Sequence, residues 1–168
     1  MNHRGVILVL LLLVAGLAAA GTALWHQYRQ TRRALDFWGT GAASLIGDTP
    51  SVELTRIPRG QPDGEDSDET KNARLRVDLS EARGLVHFRG SLLEDQSFDW
   101  DREPPAAAPD WDYLVRFSDD KASVVVAFDL DRRVVGIHEP QGTSAVLTER
   151  MAEGLGKFFE QTLAQADE

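Results

Sequence analysis

The chain opens with an unbroken apolar segment. Gly5 to Trp25 carries no charge, and its centre, Val6 to Val14, is nine consecutive Val, Ile or Leu residues. A helix of these 21 residues spans about 30 Å, which matches the hydrocarbon core of a bilayer. The pattern predicts a short tail at residues 1–4 and a transmembrane anchor over residues 5–28, with membrane lipid as its partner.

The same residues also fit a cleaved secretory signal peptide. Arg4 precedes an apolar core, and Ala18 and Ala20 form a small-residue cleavage site before Gly21. Three Arg residues after the span against one before it favour a cytoplasmic main domain, whereas the short charged start favours export. The sequence therefore predicts a single-pass protein of the cell membrane and leaves cleavage and the side of the main domain open.

Beyond the apolar segment, the spacing of apolar residues predicts a helical stalk over residues 29–47. Apolar side chains recur there every three or four residues, at Leu35, Trp38, Ala42 and Leu45. Gly47 is a plausible end of the helix. Since glycine inside a helix costs about 1 kcal/mol relative to Ala, a break near Gly39 is an alternative.

Residues 48–168 are predicted to form the main domain, in which apolar and polar residues alternate with a period of two. This alternation is typical of strands with one buried face. The predicted strands lie at residues 52–57, 74–79, 111–117, 124–130 and 134–138. Turns at Ser118–Lys121 and at Asp131 and Arg132 join the last three into a meander. Residues 59–72 contain five acids and no large apolar residue, so we expect a disordered acidic loop.

Two amphipathic helices complete the predicted domain. Ser80 is expected to cap the first, whose apolar stripe includes Leu85, Phe88 and Leu92, and Ser144 is expected to cap the second, which ends the chain. The predicted fold class is α+β: an N-terminal transmembrane helix followed by a single antiparallel sheet of about five strands, with one face covered by two helices.

Charge and composition exclude several functions. Residues 34–168 hold 14 basic and 27 acidic residues, and this negative body disfavours nucleic acid as a partner. The absence of cysteine excludes disulfides, thiol nucleophiles and cysteine-ligated metals. No His spacing fits a metal site and no glycine-rich motif fits a nucleotide, so no catalytic, cofactor-binding or metal-binding residue is predicted.

The candidate contact residues fall into two groups. The first is a pair of Asp-Trp-Asp motifs on either side of a Pro-rich connector: Asp99, Trp100 and Asp101, then Asp110, Trp111 and Asp112. Trp beside carboxylates is typical of sites that stack a sugar ring, although packing against the core explains both Trp residues more simply. The second group is charged and lies on the predicted uncovered face of the sheet: Arg74, Arg76, Asp78, Arg116 and Asp129. Such a face is either solvated or docks a partner.

The arrangement of residues 51–165 resembles that of uncharacterised, membrane-anchored domains of the bacterial envelope. The resemblance rests on RLRVDLS, GLVHFRGSLLED, YLVRFSDDKASVVVAFDLDRRVVGI and the closing amphipathic helix. It implies the fold and no activity. The sequence therefore predicts a membrane-tethered accessory or protein-interaction domain without catalytic activity. The alternatives are a glycan or small-ligand module that uses Trp100 and Trp111, and a hydrolase with scattered carboxylates.

Overall fold

The protein is an α+β structure, described by a computed structural model over residues 3–58, 75–138 and 142–166. Its elements, in chain order, are α1 (His3–Asp48), β1 (Ser51–Arg56), β2 (Arg76–Asp78), α2 (Leu85–Leu92), a short 3-10 helix (Asp95–Ser97), β3 (Tyr113–Ser118), β4 (Ser123–Asp129), β5 (Val134–Ile137), β6 (Ser144–Val146) and α3 (Glu149–Ala166). The predicted acidic loop at 59–72 and Arg74 lie outside the described residues.

The strands form one antiparallel sheet in the order β2-β1-β3-β4-β5-β6. Every second residue of the central strands faces the helices and is buried: Val52, Leu54, Tyr113, Val115, Phe117, Val124, Val126 and Phe128. The predicted alternation and the β3-β4-β5 meander are confirmed. The β3–β4 turn is closed by Asp119, whose carboxylate accepts the N–H groups of Lys121 and Ala122 at 2.8 Å each. These hydrogen bonds lower the pKa of Asp119.

The covered face of the sheet packs against the second half of α1, α2 and α3. Phe88 of α2 lies at the centre of this core, with ring centroids 6.1 Å from Phe117 and 5.6 Å from Phe159. Phe159 is fully buried in α3 and also meets Phe128 at 5.4 Å. Three helices therefore cover the face, where the sequence predicts two.

Two predicted helix starts are wrong. Ser144 belongs to β6, because residues 144–146 pair with β5 and give the sheet a sixth strand where about five were predicted. The last helix instead follows Thr148, whose hydroxyl accepts the N–H of Met151 at 3.4 Å. Ser80 lies in a turn, and its hydroxyl accepts the N–H of Val52 at 3.1 Å rather than capping a helix.

The prediction of a transmembrane helix is also wrong. Within the part of the chain that the structure describes, no helix has the length and hydropathy needed to cross a membrane. The predicted localisation at the cell membrane and the predicted lipid contact through residues 5–28 are not tested by this finding and stay predictions.

Helix α1 changes direction at Gly39, whose backbone is not helical, with φ 72° and ψ 159°. Ala34 and Trp38 are buried before this kink, and Ala43 and Ile46 are buried after it. In an unbroken helix, Ala43 would be rotated by roughly 140° from Trp38 about the helix axis, so the two side chains would not share a face. The kink therefore turns a new face of α1 toward the core, and this confirms the alternative of a break near Gly39.

The segment that follows α2 holds α1 in place through polar contacts. The Asp95 carboxylate accepts the backbone N–H groups of Arg33 at 3.2 Å and of Ala34 at 2.7 Å. The buried indole Nε1 of Trp38 donates to the carbonyl of Leu92 at 2.7 Å. The predicted stalk is thus helical and, from Ala34 onward, packs against the domain.

Arg89 of α2 makes the third contact, at the C-terminal end of α1. Its guanidinium donates to the carbonyls of Gly47 at 3.1 Å and Thr49 at 2.6 Å, which are groups that a helix leaves unpaired at its end. Removal from water lowers the pKa of Arg89, and the charge of Asp48 partly offsets this effect. Along α1 the contacts occur in the order Ala34, Trp38 and Gly47, and their partners Asp95, Leu92 and Arg89 occur in the reverse order. The two segments are therefore antiparallel, and the contacts fix how far one can slide along the other.

Candidate functional site

Trp100 is a structural residue of the aromatic core. Its indole Nε1 donates to the carbonyl of Asp95 at 2.9 Å, and its ring stacks on Phe98 with centroids 4.7 Å apart and planes at 27°. Phe37 of α1 meets the same ring at 6.1 Å. One face of Trp100 is therefore already occupied by protein, and its polar atom is already paired.

Trp111 is half-buried just before β3, and no ring contact among the described residues joins it to Trp100. The acids beside the two Trp residues differ in exposure. Asp101 and Asp110 are exposed and Asp99 is half-buried, whereas Asp112 is 7% exposed and accepts the N–H of Leu130 at 3.0 Å. The structure therefore does not gather the two motifs into one stacking platform.

The two motifs that flank the connector are tied to different strands, the first to β6 and the second to the end of β4. The N–H of Asp99 donates to the carbonyl of Val146 at 2.8 Å, and the N–H of Asp110 donates to the Asp129 carboxylate at 3.1 Å. Asp129 is only 2% exposed and also accepts the N–H of Arg132 at 3.0 Å. Asp129 is predicted to lie on the uncovered face, as a solvated or partner-docking residue; it is buried instead, where the chain at Asp110 folds back onto the end of β4.

Part of the sheet face that points away from the helices is also buried. By strand alternation this face includes Ala127, Val134 and Val146, which are at most 1% exposed although they lie outside the helix-covered core. The face is thus only partly bare. Its open part lies on the first three strands of the sheet order.

The open part of this face holds both described candidate arginines. Arg76 on β2 and Arg116 on β3 are exposed, and neither forms an ion pair with another described residue. Half-buried Leu114 lies beside Arg116 on the same face. Asp78 is exposed on β2, where the side chain and the backbone N–H of Ser80 hydrogen-bond to it and lower its pKa.

A cleft with an apolar floor lies on the opposite side of the molecule, between α2 and α3. Its volume is about 480 Å³, within the range of small-molecule sites. Apolar side chains of both helices form its floor: Phe88, Met151, Leu155 and Phe158. Phe158 and Met151 are only half-buried, although Phe158 stacks on Phe88 with centroids 5.5 Å apart. We call this feature the helix cleft.

The rim of the helix cleft is polar and carries both charges. It includes His87, Ser91 and Glu94 on one side and Thr148 and Arg150 on the other. Gly154 lies in the α3 wall, is exposed, and a Cβ added there meets nothing within 4 Å. The cleft therefore has an apolar base, room above it and hydrogen-bonding groups around it.

A second cleft, of about 750 Å³, lies between the end of β1 and the other side of α3. Its lining is charged, with the acids Asp112, Asp131, Glu149, Glu153 and Glu160 and the bases Arg56 and Arg133. Within the described ranges, no group of three His, Cys, Asp or Glu side chains is placed to hold a metal ion. Ile57, Tyr113 and Leu130 add apolar surface among these charges, so the second cleft differs from the helix cleft mainly in its larger number of charged residues.

The sequence does not predict the helix cleft as a site, although it places Phe88 of the floor in an apolar helix stripe. The signal available was the pair Gly84 and Gly154, since glycines in or beside amphipathic helices leave space between them. That these positions face each other depends on how α2 and α3 pack on the sheet, which no local pattern encodes.

Comparisons of the chain with protein-family models, with curated proteins and with solved structures find no match. The resemblance to bacterial envelope domains therefore stays a prediction.

Proposed function

We propose that this chain is a protein-interaction domain without catalytic activity, and that its partner binds in the helix cleft. The observation that carries the proposal is the half-exposed apolar floor formed by Phe158 and Met151. Burial of such surface is the main driving force of association, and a central apolar patch with a polar rim is the usual anatomy of an interface.

The shape of the cleft indicates how the partner is held. The open space at Gly154 leaves room for one large side chain of the partner above Phe158. His87, Glu94 and Arg150 at the rim provide donors and acceptors for the backbone that carries this side chain. An apolar anchor inserted in a pocket is typical of interaction hot spots.

The experiment places a photo-crosslinking amino acid at His87, which is exposed at the rim, in the full chain produced in cells. We expect a crosslinked protein whose yield falls by about tenfold when Gly154→Trp fills the cleft, since loss of one buried anchor costs at least 1.4 kcal/mol in an ordinary hot spot. Ala164→Trp is the matched control, because Ala164 is a small, exposed residue of α3 outside the cleft lining. A product that Gly154→Trp leaves unchanged would refute the proposal.

The volume of the cleft supports a second candidate, a module that binds a small apolar ligand at the same floor. The photo-crosslinking experiment distinguishes this ligand-binding module from the proposed protein-interaction domain. His87 would then capture no protein, while the chain extracted from cells would carry a small molecule that the Gly154→Trp variant lacks.

A further inference from the structure

The outer edge of β2 is paired with no strand of the described residues, and β2 is the terminal strand of the sheet. On its inner side, the N–H of Arg56 donates to the carbonyl of Leu75 at 3.0 Å, and the N–H of Leu79 donates to the carbonyl of Val52 at 2.7 Å. The backbone groups that face β1 are therefore those of residues 75, 77 and 79.

The alternation of an antiparallel ladder then assigns the outward groups. Since residues 75, 77 and 79 bond toward β1, the backbone N–H and C=O groups of Arg76 and Asp78 point to the free edge. The side chains of these two residues are exposed on one face of the sheet, the face away from the helices. The edge thus presents two donors, two acceptors and two opposite charges.

We propose that a second copy of this chain pairs with this edge in antiparallel orientation, centred on Val77. In this register Arg76 lies opposite Asp78 of the second copy, and Asp78 lies opposite Arg76 of the second copy. These are the residues whose backbone groups point outward, so four backbone hydrogen bonds form together with two cross-strand ion pairs. The two sheets become one continuous sheet across a two-fold axis.

The charges select this register and this occupant. If the pairing were centred on residue 76, Arg76 would lie opposite Arg76 of the second copy. If it were centred on residue 78, Asp78 would lie opposite Asp78 of the second copy. Both arrangements are disfavoured, because like charges directly opposite each other repel. Charges of one sign along an edge strand repel an identical strand, and this is one of the ways in which edges are protected from pairing. Here the signs alternate along the strand, so the edge is complementary to itself. The surface is separate from the helix cleft, so this proposal does not depend on the proposed function.

Disulfide trapping tests the register in the full chain, which has no cysteine of its own. In the proposed pair, Val77 lies opposite itself in a pair without backbone hydrogen bonds, with Cα atoms about 4.5 Å apart, within the range that a disulfide spans. Leu75→Cys is the matched control. Leu75 directly precedes β2, lies on the same face as Val77 by alternation and is 36% exposed, and its substitution keeps both charges. In the proposed pair, however, the two copies of residue 75 lie roughly 14 Å apart.

We expect Val77→Cys to form a disulfide-linked dimer under mild oxidation in cells at about ten times the yield of Leu75→Cys, because only the first satisfies disulfide geometry. Equal yields, or a higher yield from the more exposed Leu75→Cys, would mean that the dimers come from random collision. That result would overturn the proposal.

Charge exchange gives a second readout on the Val77→Cys background. Arg76→Asp alone and Asp78→Arg alone place like charges opposite each other, and we expect each to lower the dimer yield by about tenfold. Mixing the two variants, each with its own tag, places Asp opposite Arg at both pairs, so a mixed dimer forms at the original yield. If neither single variant lowers the yield, or if the mixed dimer does not exceed either homodimer, the edge is not paired in this register.

Discussion

Replacement of Gly39 or Gly41 by Ala tests how much stability depends on the backbone conformation of α1, because the two glycines are two residues apart and differ in φ and ψ. Gly39 lies at φ 72° and ψ 159°, a region that only glycine occupies readily, whereas Gly41 lies in the helix after the kink at a negative φ. A Cβ at either position meets nothing within 4 Å, so steric contact does not distinguish them. The difference between Gly39→Ala and Gly41→Ala therefore measures backbone conformation.

We expect the two substitutions to have opposite signs. Ala at Gly39 costs about 1 to 3 kcal/mol of backbone strain, less the gain of about 0.4 to 1 kcal/mol from a stiffer unfolded chain, so the variant is less stable. If the helix straightens to relieve the strain, Ala43 and Ile46 leave the core, which is also costly. Ala at Gly41 raises stability by about 0.5 to 1 kcal/mol, because it replaces glycine inside a helix.

Thermal unfolding followed by Trp fluorescence measures both effects, and Trp38 reports directly on the docking of α1. At roughly 2 to 4 °C per kcal/mol for a chain of this size, Gly39→Ala lowers Tm by several degrees and Gly41→Ala raises it slightly. If Gly39→Ala unfolds at the same temperature as Gly41→Ala, or above it, the kink is not required and the account of α1 is wrong.

Two further predictions concern polar contacts. The pKa of Asp78 is held below its ordinary value of 3.8 by its bonds with Ser80, so its contribution to stability is present above that pH and is lost as the pH falls through the lowered pKa. Asp78→Asn should therefore lower Tm at pH 7, and the difference from the unsubstituted chain should shrink to nothing in strong acid; a difference that is constant with pH contradicts this cause. Arg89→Ala removes the donors at the end of α1 and should cost about 2 kcal/mol in denaturant unfolding, since hydrogen bonds to charged groups contribute about 1.5 to 3 kcal/mol. Arg83→Ala, in the exposed turn before α2, is the control, and equal losses from the two variants would count against the capping role of Arg89.

The features that the sequence predicts correctly are those that depend on neighbouring residues alone. On β3, Val115 and Phe117 alternate with the less buried Leu114 and Arg116, and the strand period of two is enough to assign their faces. The turn at Asp119 follows from the ability of that side chain to bond the next backbone groups. β6 was missed because three residues are too few to show a period.

The features that the sequence does not predict depend on distant parts of the chain. The stripe expected on α1 includes Leu35, which is 41% exposed, because the buried side before the kink is centred on Ala34 and Trp38, which meet Asp95 and Leu92. Asp129 is buried by a connector that arrives from the far edge of the sheet. The helix cleft likewise exists only once Phe88 and Phe158 have been brought together by packing on the sheet.

The contacts that Asp95, the Leu92 carbonyl and Arg89 make along α1 have a mechanical consequence. They occur in reverse order on two antiparallel segments, so a pull along the axis of α1 stretches all of them at once instead of opening them one by one. Contacts that share the load in this way resist the sliding of α1 along α2 better than the same contacts loaded one after another. Force applied to the leading part of α1 is therefore transmitted to α2 and the 3-10 helix without first peeling α1 away.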